Sequence, residues 1–382
     1  MNIRKLLGLQ DYQPLNLIEI SESNLLQNYK LLSEDCNSSN YKVLSGINKK
    51  VKIAPVLKSN AYGHGLILVA KVLDNVGAPY FCVDSIYEAY ELLKAKIKTP
   101  ILIMGYINPD NLKVKKLPFA YAISTMDLAQ SISKYQPQAG VHIFVDTRMH
   151  REGVPLSELP NFLQKLPKNL NVEGLMSHLA SGELSNDPLT KLQIKNFQKA
   201  QEIVKKFGLD PKWVHLLNSA GSLNNLNPGC NMTRVGLALY GISPHPTSYN
   251  LKPVLKLTTK LIQIKKLEKE ERIGYNGTFV AKKPMTVGIL PIGYFDGVDR
   301  RLSNKGYVII NGKTCTIVGN ISMNITTVDV THVPNLKIGQ EVTVYSNNPE
   351  DKNSIQNAAK ICQTIPYELL IHLAPSTKRI IV

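Results

Sequence analysis

The sequence lacks any apolar run close to the ~20 residues that a helix needs to cross a bilayer. Residues 1–16 include Arg4 and Lys5 but no sustained apolar stretch, so they do not have the pattern of a signal peptide. These two absences predict a protein that stays in the cytoplasm and has no membrane partner.

Paired cysteines are also missing. The chain has five cysteines, an odd number, and none forms a Cys-x-x-Cys pair. The eight histidines show no metal-ligand spacing either. We therefore expect free thiols in a reducing compartment and no metal site. The cysteines are Cys36, Cys82, Cys230, Cys315 and Cys362.

Acidic residues are fewer than basic ones, 29 against 45, and the formal net charge is +16. Such an excess is common in nucleic-acid binders, where the basic residues cluster on one face. Here they are spread along the chain, and even the runs 113–116 and 265–269 contain apolar or acidic residues. A solvated basic surface that attracts anionic ligands is therefore favoured, and no nucleic-acid partner is predicted. A gel shift that survives moderate salt would support the alternative.

Composition and length predict a folded protein with two domains. Hydrophobic residues make up 43% of the 382 residues and charged residues 19%. Those fractions are typical of globular proteins, and the chain is longer than one ordinary core accommodates.

Between about residues 50 and 240, short apolar runs alternate with longer amphipathic stretches such as 189–207. Repeated strand–helix units imply a parallel sheet, and about eight of them in about 200 residues imply a closed (β/α)₈ barrel of the α/β class. The predicted strands are Ile53–Leu57, Tyr80–Val83, Ile101–Met104, Tyr121–Ile123, Val141–Val145, Val172–Met176, Trp213–Leu217 and Met232–Val235.

The pattern changes after Pro246. Alternating segments follow one another at short spacing and are broken by Asn-Gly and Gly-Asn turns, which is typical of a smaller, mostly β domain. A last helical segment, 354–373, is interrupted at Pro366. We therefore predict an N-terminal extension over 1–14, a barrel domain over 15–246, and a C-terminal β domain over 247–382.

Active sites of such barrels lie at the C-terminal ends of the strands. Lys58 lies at the end of the first predicted strand, where a partly desolvated amine is suited to forming a Schiff base. Taken alone, the lysine is better explained as a surface residue. The other predicted strand ends are Asp84, Gly105, Ser124, Asp146, His178, Asn218 and Gly236.

The residues around Lys58 favour the Schiff-base interpretation. Residues 55–65, PVLKSNAYGHG, resemble the cofactor-attachment signature of the pyridoxal-phosphate-dependent alanine racemases, which have a fold type III (β/α)₈ barrel. The resemblance extends from about Asn16 to the C-terminus. The other similar blocks are 145–153, 173–178, 218–220, 233–241, 273–279, 291–297 with Arg300, and 319–323.

The resemblance implies a role for individual residues. Lys58 carries pyridoxal 5′-phosphate and acts as one catalytic base on the D-isomer, whereas Tyr275 acts as the second base on the L-isomer. The implied cofactor-binding residues are Lys58, Tyr62, His178, Asn218, Ser219, Arg234, Gly236 and Leu237. The implied substrate-binding residues are Arg151, Tyr294 and Met323.

The resemblance also implies a homodimer with shared active sites, because the family's equivalent of Tyr275 reaches the lysine of the other subunit. The implied reaction is interconversion of L- and D-alanine, an isomerase activity that supplies D-alanine for peptidoglycan. The substrate is a small amino acid.

Arg234 makes chemical sense in this scheme. Many enzymes with this cofactor place a carboxylate on its ring nitrogen, which makes the ring a strong electron sink. Arginine cannot accept a proton, so the ring nitrogen stays unprotonated and proton return to Cα is favoured over side reactions. The alternative is a salt bridge within the barrel.

Four residues depart from the family pattern, and one of them is Pro375, which replaces a tyrosine that helps hold the phosphate in some members. Arg148 replaces a usual glycine, and Asn324 replaces a common aspartate. Phe144 replaces a lysine that is often carbamylated and orients the arginine matching Arg151. We expect activity that does not depend on CO₂, with Arg151 held either by an anion such as chloride or by a compensating protein partner.

Other functions remain possible from the sequence. Racemisation of serine or of several amino acids is one, since a pocket discriminates modestly against one hydroxyl or methylene group. An amino-acid decarboxylase and a non-catalytic cofactor-binding protein also use such barrels. The block around Tyr275 and the placement of Arg234 argue against the decarboxylase, and the second domain argues against the non-catalytic protein.

Overall fold

In the computed structural model, the described residues are 13–35, 51–224, 226, 228–245 and 249–382. They form two compact units. One unit joins the described N-terminal residues up to Ser21 with Pro253–Val382, and the other is Glu22–Lys252. This division differs from the sequence-based one, which begins the barrel at residue 15, because strand β1, Leu17–Ile20, pairs with two strands of the C-terminal unit. Most of the predicted extension, 1–14, lies outside the described residues.

The unit Glu22–Lys252 contains the predicted barrel. Its eight parallel strands are β2 (Lys52–Pro55), β3 (Phe81–Val83), β4 (Ile101–Ile103), β5 (Phe119–Ile123), β6 (Gly140–Asp146), β8 (Asn171–Met176), β9 (Trp213–His215) and β10 (Met232–Val235), with the two-residue β7 (Val154–Pro155) beside β6. Its helices are α1 (Glu22–Asp35), α2 (Leu66–Leu73), α3 (Ile86–Lys94), α4 (Met126–Tyr135), α5 (Leu159–Lys165), α6 (Pro188–Lys206) and α7 (Ser219–Leu223).

Two links close the barrel. The backbone N–H of Leu57 donates to Cys82 O between β2 and β3 at 2.8 Å, and that of Arg234 donates to Leu217 O between β9 and β10 at 3.0 Å. Small and apolar side chains fill the interior, including Ala54, Leu102 and Ala120 among others. The eight predicted strands and the barrel are confirmed, because runs buried on both faces are what a parallel sheet requires.

Short polar residues begin several helices. Ser85 accepts from the backbone N–H of Glu88 at the start of α3, and Asp187 accepts from that of Thr190 at the start of α6. Such caps satisfy N–H groups that have no partner within the helix. The described residues contain no helix that is long and apolar enough to cross a membrane.

The other unit is mostly β, as predicted. Its six-stranded sheet has the order β17-β16-β19-β11-β1-β20, beside a three-stranded sheet β12-β15-β18 and a hairpin β13-β14. The strands are β11 (Leu255–Lys260), β12 (Gln263–Leu267), β13 (Arg272–Ile273), β14 (Phe279–Val280), β15 (Met285–Leu290), β16 (Tyr307–Ile310), β17 (Lys313–Thr316), β18 (Thr326–Asp329), β19 (Glu341–Tyr345) and β20 (Lys378–Ile381).

The predicted helical interruption at Pro366 is also present. Helix α8 (Ile355–Ile361) ends before it, and helix α9 (Pro366–Ile371) begins with the proline. Proline is suited to the first helical position because its missing N–H has no partner there in any case.

Candidate active site

A left-handed turn carries Lys58 to the mouth of the barrel. Residues Ser59, Asn60, Ala61 and Tyr62 have φ between 52° and 56°. Tyr62 therefore follows Lys58 by a left-handed turn. Each such residue costs about 1–2 kcal/mol relative to a right-handed conformation, so the turn needs support from its surroundings.

That support comes from hydrogen bonds to the turn. The side chain of Asn60 accepts from the backbone N–H of Leu66 at 2.8 Å. The carboxylate of Glu88 accepts from the backbone N–H of Asn60 at 3.3 Å and from that of Asp84 at 3.0 Å. Glu88 thus connects the turn to the end of β3 through these two hydrogen bonds.

Asp84 lies beside the Lys58 amine. Its Oδ1 is 3.4 Å from Lys58 Nζ, and both side chains are partly exposed. The sequence indicated Asp84 as a strand end, but no role was assigned to it. An ion pair with an exposed lysine is not visible from sequence spacing alone.

Ser219, at the start of α7, contacts the backbone of residues 236–238. Together these residues form a small cup. The Ser219 hydroxyl oxygen accepts from the backbone N–H groups of Gly236 at 3.1 Å and Ala238 at 3.3 Å, which leaves the hydroxyl hydrogen available to a ligand. The neighbouring N–H of Leu237 has no acceptor among the described residues. A β-carbon on Gly236 would lie 2.4 Å from the Tyr62 hydroxyl, so only glycine allows the tyrosine over the cup.

Asn218 shapes the cup and does not line it as a donor. Its side-chain oxygen accepts from the backbone N–H of Gly221 at 3.0 Å and caps α7, and its amide group approaches Leu179 O at 3.5 Å. A hydroxyl, a free N–H and a phenol converging on one point suit a phosphate group.

Arg234 is buried without any carboxylate partner among the described residues. Its Nη2 donates to Ser177 O at 2.6 Å, and its Nη1 donates to His215 Nδ1 at 2.6 Å and to His215 O at 3.1 Å. Its Nε–H has no acceptor in the part of the chain that the structure describes. Because the other donors are used, Nε–H is the group left to meet a ligand atom such as a ring nitrogen.

Two histidines behind Arg234 form a hydrogen-bonded pair. Arginine can only donate, so His215 Nδ1 must accept, and its proton lies on Nε2. That proton is donated to His142 Nδ1 at 2.8 Å, which places the proton of His142 on its own Nε2. The sequence analysis missed this pair; polar side chains on buried strands were the available signal.

His178 lies among positive charges at the mouth. Burial first, and then the charges of Arg234, Arg151 and Lys58, lower the pKa of His178 to about 3. The ring is therefore neutral at physiological pH, and its Nδ1 is 3.3 Å from Arg234 Nη2. A neutral imidazole that is partly exposed at the mouth suits stacking against an aromatic ring.

His142 and His215, which are both fully buried, predict acid sensitivity. Burial, followed by the charge of Arg234, lowers the pKa of His142 to about 3 and that of His215 well below 6.5. The unfolded chain protonates these rings near pH 6.5, so their stabilisation is complete above that pH. It is lost as pH falls toward 3, by up to about 1.4 kcal/mol per pH unit for each ring.

Urea unfolding between pH 7 and pH 5, followed by the fluorescence of the sole tryptophan, Trp213, measures this loss. We expect a shallower pH dependence for His142→Leu and an unchanged one for the exposed control His332→Asn. Equal slopes for His142→Leu and the unchanged protein would contradict the assignment.

The turn after β6 positions Arg151. Asp146 Oδ1 accepts from the backbone N–H groups of Arg148 at 2.9 Å and His150 at 3.1 Å, among others. A β-carbon on Gly153 would lie 2.6 Å from Asp146 N, so the turn closes tightly. Phe144 packs in a barrel cluster with Ala122 and Met176.

Arg148, one of the departures from the family, has a φ of 101°. This region favours glycine, so replacing Arg148 with glycine should stabilise the protein by about 1 kcal/mol. A rise in the thermal unfolding midpoint of Arg148→Gly would verify this, with Arg148→Ala as the control that keeps a β-carbon. If both variants behave alike, the backbone conformation is not the cause.

In the C-terminal unit, the predicted residues Tyr275, Tyr294 and Met323 lie close together. Asn320 Nδ2 donates to Tyr275 O at 3.0 Å, and the backbone N–H of Tyr294 donates to Ser322 O at 3.1 Å. The three side chains are exposed on this unit, Tyr275 by 71%. They are thus free to take part in a site built from more than one element.

Asn324, another departure from the family, belongs to the same region. Its side-chain amide donates to Asp296 Oδ2 at 3.3 Å, and Asp296 is buried. An aspartate at 324 would instead place a second negative charge beside the buried Asp296, and the amide avoids that repulsion.

Comparisons with known proteins agree with this geometry. The family model for the alanine racemase N-terminal domain matches residues 34–244, and that for the C-terminal domain matches 254–381. An alanine racemase of Borreliella burgdorferi (strain ZS7) is 37% identical over 343 residues, 86% of this chain and 90% of the relative. One of Sorangium cellulosum (strain So ce56) is 33% identical over 94% of this chain and 97% of the relative.

A crystal structure from Bartonella henselae, an alanine racemase with covalently bound pyridoxal phosphate, has a TM-score of 0.84. It is 26% identical in sequence, and the match covers 97% of this chain and all of that one. The two domain matches cover most of the chain, and the relatives match over nearly their full length. The chain therefore belongs to the alanine racemase family.

Proposed function

We propose that this chain interconverts L- and D-alanine with pyridoxal 5′-phosphate by a two-base mechanism. The observation that carries the proposal is the barrel mouth, which contains a lysine amine, the cup around Ser219 and Gly236, and an arginine with a free Nε–H. A relative's structure holds pyridoxal phosphate covalently, which supports the cofactor. When bound, the cofactor supplies an electron sink that makes the Cα proton of the amino acid acidic.

Several residues of the barrel would each have a distinct role in binding the cofactor. Lys58 would attach it, while Ser219, Tyr62 and the Leu237 N–H would hold its phosphate. Arg234 would donate through Nε to the ring nitrogen and keep it unprotonated, because an arginine cannot give up its proton at neutral pH.

Proton transfer requires a base on each face of the substrate. Lys58, once released from the cofactor, would move the proton of the D-isomer, and Tyr275 would move that of the L-isomer. Arg151 would bind the substrate carboxylate, with Tyr294 and Met323 completing the pocket. The charge distribution supports this, since Lys58, Arg151 and Arg234 all act on His178.

A coupled assay of the purified protein against each L-amino acid, reading formation of the D-isomer, tests the proposal. We expect D-alanine to form fastest. Faster turnover of L-serine would favour the broader racemase, and release of CO₂ from a basic or acidic amino acid would favour the decarboxylase.

We further propose a homodimer in which Tyr275 of one chain serves the site of Lys58 in the other. Mixing inactive Lys58→Ala with inactive Tyr275→Phe should restore about a quarter of the wild-type activity, since half of the dimers are mixed and each has one complete site. Mass spectrometry confirms subunit exchange. No recovery after exchange would exclude shared sites.

We place this activity in the cytoplasm, where D-alanine would enter peptidoglycan synthesis. The cysteines support a reducing compartment. Cys82, Cys230, Cys315 and Cys362 are free and buried in the described part of the chain, and burial raises the pKa of the Cys82 thiol to about 12. Cys36 lies outside the described residues.

A further inference from the structure

We propose that Glu152 is the positioning residue that orients Arg151 toward the substrate carboxylate. The inference rests on the proposed function, in which Arg151 binds that carboxylate. It concerns how an exposed arginine on a turn keeps one orientation.

Glu152 holds one edge of the guanidinium group. Arg151 Nη2 donates to Glu152 Oε1 at 2.7 Å, and Arg151 Nε donates to the same oxygen at 3.2 Å. Both donors meet the same oxygen, so one charge-assisted contact holds the Nε–Nη2 edge of the guanidinium group. Both side chains are roughly half exposed, 49% and 42%, so the pair is open to the site.

No other carboxylate among the described residues takes this role. Asp146, the acid at the end of β6, uses Oδ1 for backbone N–H groups of its own turn and lies 3.3 Å from the His150 ring through Oδ2. Phe144, on the same strand, packs against Ala122 and Met176 and offers no acceptor.

The geometry of the pair leaves Arg151 able to bind a ligand. Glu152 occupies the edge formed by Nε and Nη2, so Nη1 keeps both of its hydrogens and Nη2 keeps its outer one. One hydrogen of Nη1 and the outer hydrogen of Nη2 form the second edge of the guanidinium group. This edge can donate two parallel hydrogen bonds to a carboxylate. Arg151 therefore binds the protein by one edge and presents the other.

The rigid turn makes this arrangement reproducible. Glu152 lies between Arg151 and Gly153, whose φ of 115° and close approach to Asp146 N fix the backbone. The charge of Glu152 also reaches the centre of the site, because together with Arg151 it is among the charges that shift the pKa of Arg234.

Glu152→Ala should raise KM for L-alanine about tenfold and leave kcat nearly unchanged, as expected when roughly one charge-assisted hydrogen bond is lost. Glu152→Asp should recover part of the loss. The control is Glu202→Ala, which removes an exposed carboxylate from α6 and should change neither constant.

Small anions provide a second readout that a purely structural role would not move. Millimolar formate, or chloride at constant ionic strength, should lower the raised KM of Glu152→Ala by refilling the vacated edge. The wild-type enzyme should not be stimulated by formate, chloride or bicarbonate. Stimulation of the wild type, or no rescue of the variant, would overturn the proposal.

A third measurement does not depend on the reaction. Arg151 should react with phenylglyoxal several-fold faster in Glu152→Ala than in the wild type or in Glu202→Ala, as read by peptide mass spectrometry. Unchanged reactivity together with unchanged KM would refute the role of Glu152 alone. Absence of D-alanine formation by the wild type would instead refute the proposed function.

Discussion

Lys58→Ala is expected to lose the yellow colour of the purified protein and to lower racemisation by about a thousandfold or more. The Lys58 amine lies at the barrel mouth just before the left-handed turn, and only a primary amine would attach the proposed cofactor there. The measurement is the visible absorption spectrum together with the D-alanine assay. Phosphate retained by the variant would show that the cup binds without the lysine.

Lys191→Ala is the matched control, since Lys191 is an exposed lysine on α6. It should keep both the colour and the activity. A Lys58→Ala protein with an unchanged spectrum would refute the assignment of the lysine, whatever its activity.

Tyr275→Phe is expected to cut racemisation by about a hundredfold or more, because a phenyl ring cannot transfer a proton. The two isomers should respond differently. Exchange of the Cα proton with solvent deuterium should survive better from D-alanine than from L-alanine, since Lys58 remains to serve the D-isomer.

Tyr307→Phe controls for the loss of a hydroxyl in the same unit, because Tyr307 lies on β16. It should leave exchange from both isomers intact. Equal loss of exchange from L- and D-alanine in Tyr275→Phe would count against two bases and in favour of one.

The sequence predicts the barrel well because its signal is local. Strands buried on both faces appear as continuous apolar runs, and eight such runs matched the eight strands. The free cysteines and the interruption of the last helix at Pro366 could also be predicted, because each depends only on nearby residues in the sequence. The site residues could be placed on strand ends for the same reason, since parallel strands present their ends at one face.

The division into units was harder to predict because strand pairing is not local. β1 precedes the barrel in sequence, yet its register with β11 joins Ile18 to Leu257 across most of the chain. An isolated four-residue apolar run does not show which of two sheets it will join.

Side-chain partners within the site were also outside the reach of the sequence. The resemblance pointed to Arg151 and left open what would hold it. The pairing with Glu152 depends on a turn fixed by Asp146 and Gly153, and the His142–His215 pair depends on two strands far apart in sequence. The histidine contact follows from the closed barrel, and the contact of Arg151 with Glu152 follows from the conformation of the turn.

The left-handed turn also sets the order in which the enzyme matures. In an unfolded chain the residues after Lys58 favour right-handed or extended conformations, and only local contacts such as that of Asn60 with Leu66 offset the cost of the reverse hand. Part of the support comes from Glu88, which reaches the turn only when β2 and β3 lie side by side. The lysine is therefore presented only after the barrel has assembled, so attachment of the proposed cofactor would be a late event that depends on correct folding.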